Sequence, residues 1–324
     1  MSTNVSQFFD RSIYNTALYA RYGSPNSLSD YILKAQAMDY EATRAEYEAY
    51  SVRKNADRPA TGVIYWMLNN AWPSLHWNFF DYYLKTAGSF FGAKVGSRAE
   101  HVVFEYGSAN GDIWLINHAL DKQGARIIEI DMLSQDGKPL FSKRTVSAET
   151  KPNYSQRIAS VPEAASPTET AFLRLVLKDA HGITLSRNVY WISTELDVND
   201  WDNSTWYNTP VTAYANYTSL QLLKPASLFA MALESAQPTT GGRIAATIQL
   251  ENKATVPAYL IRLELQDGVG GDVAPAFWAD NYVTLWPGEK MEVIVQWMAS
   301  GSGTEKVVKI SGMNLSGGLS VELK

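Results

Sequence analysis

The side chains best suited to chemistry in this sequence cluster in the run GVIYWMLNNAWPSLHW, residues 62–77. Within it, Trp66, Asn69, Asn70 and Trp72 combine two useful properties. An indole face stacks on the apolar side of a pyranose ring, and a carboxamide both donates to and accepts from hydroxyls, so these types suit a sugar subsite. The competing reading makes Trp66 a core residue and the asparagines caps of a following helix. A second aromatic group, Trp201, Trp206, Tyr207 and Tyr214, reads first as a docking surface between the later sandwiches and the α/β part before them and second as a carbohydrate platform. Glu41, Glu46 and Glu48 could be mistaken for a carboxylate pair, but their spacing on a charged helix face predicts that all three are solvated. His76, His101, His118 and His181 lack ligand spacing, and the absence of cysteine excludes thiolate metal sites and disulfides. No metal or cofactor is expected, and His118 and His181, beside turns, read as ordinary surface residues.

These residues must be carried by a folded scaffold. A hydrophobic fraction of 46% against 19% charged is globular, and 324 residues suggest two to three domains. A net charge of −5 leaves no basic face for nucleic acid or an anionic membrane, and no run is long enough to span a bilayer. A neutral or cationic partner fits better. Residues 1–10 are polar and lack the apolar core of a signal peptide. Five N-x-S/T sequons, at Asn4, Asn153, Asn203, Asn216 and Asn314, are compatible with a secreted parent whose leader lies outside this chain.

Ser27 and Asp30 form an S-x-x-D cap before an apolar stripe of Tyr31, Ile32, Ala35, Met38, Ala42, Ala45 and Ala49, which predicts a helix ending before Pro59. Gly62–Leu68 is almost wholly apolar and predicts a strand buried on both faces. From about residue 97 the period becomes two, with turns about every ten residues, as in antiparallel immunoglobulin-like sandwiches. Asn110-Gly111 suggests a type I′ hairpin and Asp136-Gly137 another turn. A second alternating set contains Ile244, Ala246, Ile248 and Leu250, then Tyr259, Ile261, Leu263 and Leu265, then Met291, Val293, Val295 and Trp297. The expected class is mainly β: an α/β segment over 1–96, a sandwich over 97–197, and a second sandwich over 198–324 that includes the aromatic connector. Residues 97–324 are expected to fold without the segment before them.

The run GVIYWMLNNAWPSLHWNFFDYYLKTAGSFFGAK, residues 62–94, resembles the eighth barrel strand and following helix of exo-β-D-glucosaminidases of glycoside hydrolase family 2. ALYARYGSPNSLSDYILKAQAMDYEATRAEYEAYS resembles the preceding barrel helix, and LSRNVYWIS, DWDNSTWYNTP and DNYVTLWPGE resemble landmarks of the two following domains. The resemblance implies the end of a TIM barrel followed by two sandwiches, in a secreted enzyme that removes glucosamine from chitosan oligomers with retention. Both catalytic glutamates would lie upstream, so no catalytic residue is assigned here, and the chain alone would be inactive. Trp66, Asn69, Asn70 and Trp72 would face oligosaccharide once the barrel is complete. Related alternatives are a β-mannosidase or plant glycoprotein endo-β-mannosidase; a different one is a non-catalytic carbohydrate-binding module.

Overall fold

The computed structural model describes residues 11–74, 78–147, 149–299 and 305–323. His76 lies outside the described residues. Three helices come first: α1 (Ser12–Tyr22), α2 (Leu28–Val52) and α3 (Gly88–Gly96). The Ser27 hydroxyl accepts from the Asp30 N–H at 3.1 Å, so the expected cap starts α2. α1 carries no such signal, because Arg11 at its N-cap makes no side-chain bond. α3 lies very close to α2: a Cβ on Gly92 would stand 2.3 Å from the Tyr40 carbonyl oxygen, so only glycine allows that approach.

The first sandwich follows, with β1 (Glu100–Phe104), β2 (Asp112–Asn117), β3 (Arg126–Ser134), β4 (Pro139–Ser147), β5 (Tyr154–Ser160), a short helix α4 (Pro162–Ala165), β6 (Ala171–Asp179) and β7 (Thr184–Ile192). Its sheets have orders β1-β2-β5 and β4-β3-β6-β7. Ile128, Ile130 and Met132 face Leu173, Leu175 and Leu177 across the β3–β6 ladder, and all six are buried, as the alternation requires. β1 and β2 are not joined by a type I′ turn. Glu105 to Gly111 form a longer link in which Gly107 and Gly111 take positive φ and Asn110 does not. A type I′ turn needs both central residues there.

A small hairpin, β8 (Val198–Asn199) with β9 (Val211–Ala213), links to the second sandwich. That sandwich comprises β10 (Leu228–Ala232), β11 (Gln237–Pro238), β12 (Arg243–Asn252), β13 (Ala258–Asp267), β14 (Ala276–Trp278), β15 (Val283–Leu285), β16 (Lys290–Met298), β17 (Lys306–Ser311) and β18 (Leu319–Leu323). One sheet runs β10-β12-β16-β14 with β11 on β12; the other runs β15-β13-β17-β18. The core of the first sandwich is self-contained, whereas the second is continuous with Leu18, Tyr22, Ala37, Met38, Tyr40, Phe91 and Val95 of the helices. The helical layer is therefore structural support, and the expectation that 97–324 folds alone loses its basis for the second sandwich.

Two expectations for the helical part fail. The buried face of α2 is not the alanine stripe: Ile32, Ala42 and Ala49 are exposed, while Lys34, Glu41, Arg44 and Glu48 are buried. Of the stripe, Met38 reaches the core and Tyr31 and Ala35 pack against it, while Ile32, Ala42 and Ala49 face solvent; the charged face is satisfied by partners from the sandwiches. Residues 62–68 form no strand, and one set of their side chains is bare: Ile64 is 97% exposed, Trp66 74% and Leu68 60%. A strand needs a neighbour along its length to form a ladder, and among the described residues only the N–H groups of Phe79 and Phe80 bond to the run's backbone, at Met67 and Leu68.

Candidate functional site

Residues 63–68 keep the two-residue alternation of burial expected of a strand. Val63, Tyr65 and Met67 are partly buried while Ile64, Trp66 and Leu68 face solvent. Tyr65 stacks on Phe79 with ring centroids 4.1 Å apart and planes 9° apart, which fixes one face against the helical layer. The Phe80 N–H donates to the Leu68 carbonyl at 2.9 Å. The Trp66–Met67 peptide bond is cis. Trp66 therefore stands on the unpartnered face, Trp72 is 68% exposed nearby in sequence, and Asn69 and Asn70 are half-buried. The Asn70 carboxamide donates to the Ser74 hydroxyl. It closes a local turn, since the next helix starts only at Gly88.

The strongest electrostatic feature is one that the sequence misplaced. Glu41 and Glu48 are buried, and only Glu46 of the three is exposed. Glu41 accepts from the phenols of Tyr22, Tyr106 and Tyr217 at 3.0–3.1 Å. Glu48 accepts from Tyr190 at 2.9 Å and from the Asn188 carboxamide at 2.5 Å. Between them, fully buried Arg44 donates to the Val189 carbonyl and to Asn188 Oδ1, and its guanidinium lies 4.1 Å from the Tyr190 ring centroid. Burial pushes the Glu48 carboxyl up to about 7 despite Arg44 and Tyr190, and burial also raises Glu41. Among the described residues, the hydrogen bonds to these carboxylates come from side chains of the fold. The group joins α2 to β7 and to the connector; it is a joint, not a catalytic pair.

LSRNVYWIS is thereby explained as the strand that supplies Asn188, Tyr190 and Trp191, whose indole donates to Tyr22 at 2.8 Å. DNYVTLWPGE is a second joint. Asp280 pairs with Arg98 at 2.8 Å, Asn281 bonds both the N–H and the carbonyl of Leu263, and Glu289 pairs with Arg187 at 2.7 Å. DWDNSTWYNTP behaves differently. Trp201 and Trp206 are 71% and 77% exposed, so within this chain neither is covered by the helices or the sandwiches. Tyr214 is half-buried beneath the Arg21 guanidinium.

His181 is exposed, but His118 is not an ordinary surface residue. Its ring stacks on buried His101 at 5.8 Å, Lys54 Nζ lies 2.7 Å from Nδ1, and Ser51 Oγ lies 3.3 Å from Nε2. The ammonium takes the Nδ1 lone pair, which leaves the proton on Nε2 facing Ser51. Ser51 in turn donates to the Tyr47 carbonyl at 2.8 Å. This order is the reverse of a nucleophile facing a base, so the trio is no hydrolase site. Burial, with Lys54, pushes His118 down to about 4, and burial, with His118, pushes His101 down to about 3. Folded-state values below the ordinary 6.5 mean that the unfolded chain binds more protons in this window. The pair's stabilisation is complete above pH 6.5 and fades as pH falls toward 3. Replacing His118 with glutamine is expected to flatten the acid limb of Tm against pH between 6.5 and 4. An unchanged limb would show that the pair does not titrate on unfolding. Among the described residues no cluster could hold a metal ion.

Residues 109–194 match the mannosidase Ig/CBM-like domain family, and residues 206–315 match the exo-β-D-glucosaminidase Ig-fold domain family. The exo-β-D-glucosaminidase of Hypocrea virens is 50% identical over 98% of this chain, which covers 35% of that protein. Nearly the whole of this chain is thus homologous to exo-β-D-glucosaminidases. It spans about a third of the length of such relatives and corresponds to their C-terminal part. The Streptomyces avermitilis exo-β-D-glucosaminidase is 35% identical over 95% of this chain, with 34% of that protein covered. The crystal structure of the Amycolatopsis orientalis exo-chitosanase superposes with a TM-score of 0.91 at 32% identity, covering 98% of this chain and 38% of that one. A variant of that enzyme is known in complex with PNP-β-D-glucosamine. Mannosidases are more distant: the Dictyoglomus thermophilum β-D-mannosidase shares the fold at TM-score 0.66 and 18% identity.

Proposed function

We propose that this chain is the accessory part of an exo-β-D-glucosaminidase, a retaining glycosidase that releases glucosamine from the non-reducing end of chitosan oligosaccharides outside the cell. The observation that carries this reading is the bare face of Ile64, Trp66 and Leu68 on a segment whose other face is packed, which is the state of a terminal barrel strand separated from its neighbours. Residues 1–96 then complete a barrel, and residues 97–197 and 198–324 brace it as sandwiches. With the barrel closed, Trp66 offers its indole to the sugar's apolar face, and Asn69, Asn70 and Trp72 border the same opening. The retaining reaction requires two carboxyl groups about 5 to 5.5 Å apart, one attacking the anomeric carbon and one protonating the leaving oxygen. Both belong to the upstream part in this proposal. An extracellular location agrees with exposed sequons at Asn203 and Asn216, whereas the Asn314 carboxamide is buried on the Lys224 and Pro257 carbonyls.

The test compares this chain with the same chain joined to its upstream barrel. The joined protein is expected to hydrolyse PNP-β-D-glucosamine in preference to the corresponding β-mannoside, and the chain alone to hydrolyse neither. Preference for the mannoside would move the parent to the β-mannosidases. Turnover by the chain alone would place the chemistry within these residues and refute the proposal.

A further inference from the structure

The hairpin closed by β8 and β9 serves neither joint described above. From Thr194 to Tyr207 every residue except Asp200 is exposed, so the element stands out from the sandwiches. Its base is nevertheless rigid. Asp197 pairs with Arg21 at 2.8 Å and accepts the Ala215 N–H at 2.9 Å, and the Arg21 guanidinium covers the Tyr214 ring at 4.9 Å. Its tip is held by its own bonds, with Asp200 N–H to the Pro210 carbonyl and Thr205 N–H to the Asn208 carbonyl, both at 2.8 Å. A preformed tip binds with little ordering cost.

This rigid tip presents Trp201 and Trp206, and Tyr207 meets Trp206 edge-on at 5.2 Å. The charge around them has one sign. Residues 188–223 contain Glu195, Asp197, Asp200 and Asp202 and no lysine, arginine or histidine. Among the described residues, only Asp197 of the four has an ion-pair partner. Asp200 is oriented by the Asn203 N–H at 3.3 Å and the Asn203 carboxamide at 2.8 Å, neither of which neutralises its charge. Exposed indoles beside carboxylates that lack a cation match a ligand with apolar ring faces and repeated positive charges. A polymer of β-linked glucosamine has both properties in mildly acidic solution: each pyranose ring has an apolar face and the amines carry protons.

We propose that this hairpin is an accessory binding surface for a cationic glucosamine chain, with Trp201 and Trp206 stacking on rings and Asp200 and Asp202 pairing with the ammonium groups. The choice of ligand rests on the proposed function, but the binding does not require catalysis, so the two can fail separately.

The experiment titrates the 324-residue chain with glucosamine hexamer and with its N-acetylated counterpart, following tryptophan fluorescence at two salt concentrations. The deacetylated hexamer is expected to bind several-fold tighter than the acetylated one and to weaken as salt rises, because exposed ion pairs are screened. Trp201→Ala with Trp206→Ala should weaken binding about tenfold or more, consistent with the loss of roughly 1.5 kcal/mol of stacking. Asp200→Asn with Asp202→Asn should abolish the preference for the deacetylated chain while leaving Tm unchanged. Equal binding of both hexamers, or equal binding by the tryptophan variant, would overturn the proposal. So would the same variant lowering Tm of the joined protein without raising its KM for long chitosan, since the hairpin would then be a docking surface for the barrel. A joined protein that binds chitosan through this hairpin but cleaves only mannosides would spare the inference and defeat the proposed activity.

Discussion

Arg44→Ala is expected to lower the unfolding free energy by about 3–5 kcal/mol, the range for leaving buried charge without its compensating opposite. The loss is large because of what remains. Glu41 and Glu48 stay buried with their phenol and carboxamide donors, but the positive charge between them is gone, and the Val189 carbonyl and Asn188 Oδ1 lose their donor. The flat guanidinium also packs between Tyr40, Tyr190 and Trp191, with centroids at 5.5, 4.1 and 5.2 Å. Lysine cannot reproduce both the fork and the stack, so Arg44→Lys should recover only part of the loss. Removing charge from both sides, as Arg44→Met with Glu48→Gln, should unfold at a higher denaturant concentration than Arg44→Ala. Chemical denaturation monitored by near-UV dichroism checks the series. A cost below about 1 kcal/mol for Arg44→Ala would mean that the cluster is hydrated in solution and contributes as a surface pair does.

That cluster also shows where sequence reading stops. The alternation in β3 and β6, or in β12, β13 and β16, is a local signal, because the pleat sends every second side chain to the core whatever lies opposite. The cap at Ser27 is equally local, made three residues away. Glu48 looks like part of a solvated helix face because its local sequence is charged. The partners that make its burial tolerable, Asn188 and Tyr190, are 140 and 142 residues distant. His118 is similar, since Ser51 and Lys54 reach it from α2 and the turn after it, 67 and 64 residues earlier. The apolar run 62–68 failed in the opposite direction. Its composition asks for burial on two faces, but the chain supplies cover for only one, where Tyr65 meets Phe79. The alanine stripe of α2 makes the same demand and is likewise left uncovered at Ala42 and Ala49. Sequence patterns describe the protein in which the side chains were selected, and here that points to a larger body than this chain.

The same contrast defines the test of Trp66. In this chain the indole is 74% exposed, so Trp66→Ala should leave Tm within about 1 °C, as expected for a surface change of at most about 0.5 kcal/mol. In the protein joined to its upstream barrel, the outcome depends on which of two roles the side chain fills. Barrel interiors are layered mainly with branched aliphatic residues, and residues near the C-terminal ends of the strands face the active-site opening. Trp66 is both bulky and late in its segment, two positions before Leu68 and three before Asn69. As a pocket wall it would stack on the sugar as the ring flattens in the transition state, and its loss should remove about 2–4 kcal/mol of transition-state binding, or roughly 30- to 1,000-fold in kcat/KM. The melting temperature of the joined protein should then fall little. As a core filler, truncation would open a cavity, and stability would fall by a comparable amount with kcat/KM changing only through loss of folded protein. Measuring kcat/KM per folded molecule together with Tm separates the two, and near-normal kcat/KM at any Tm would remove Trp66 from the subsite.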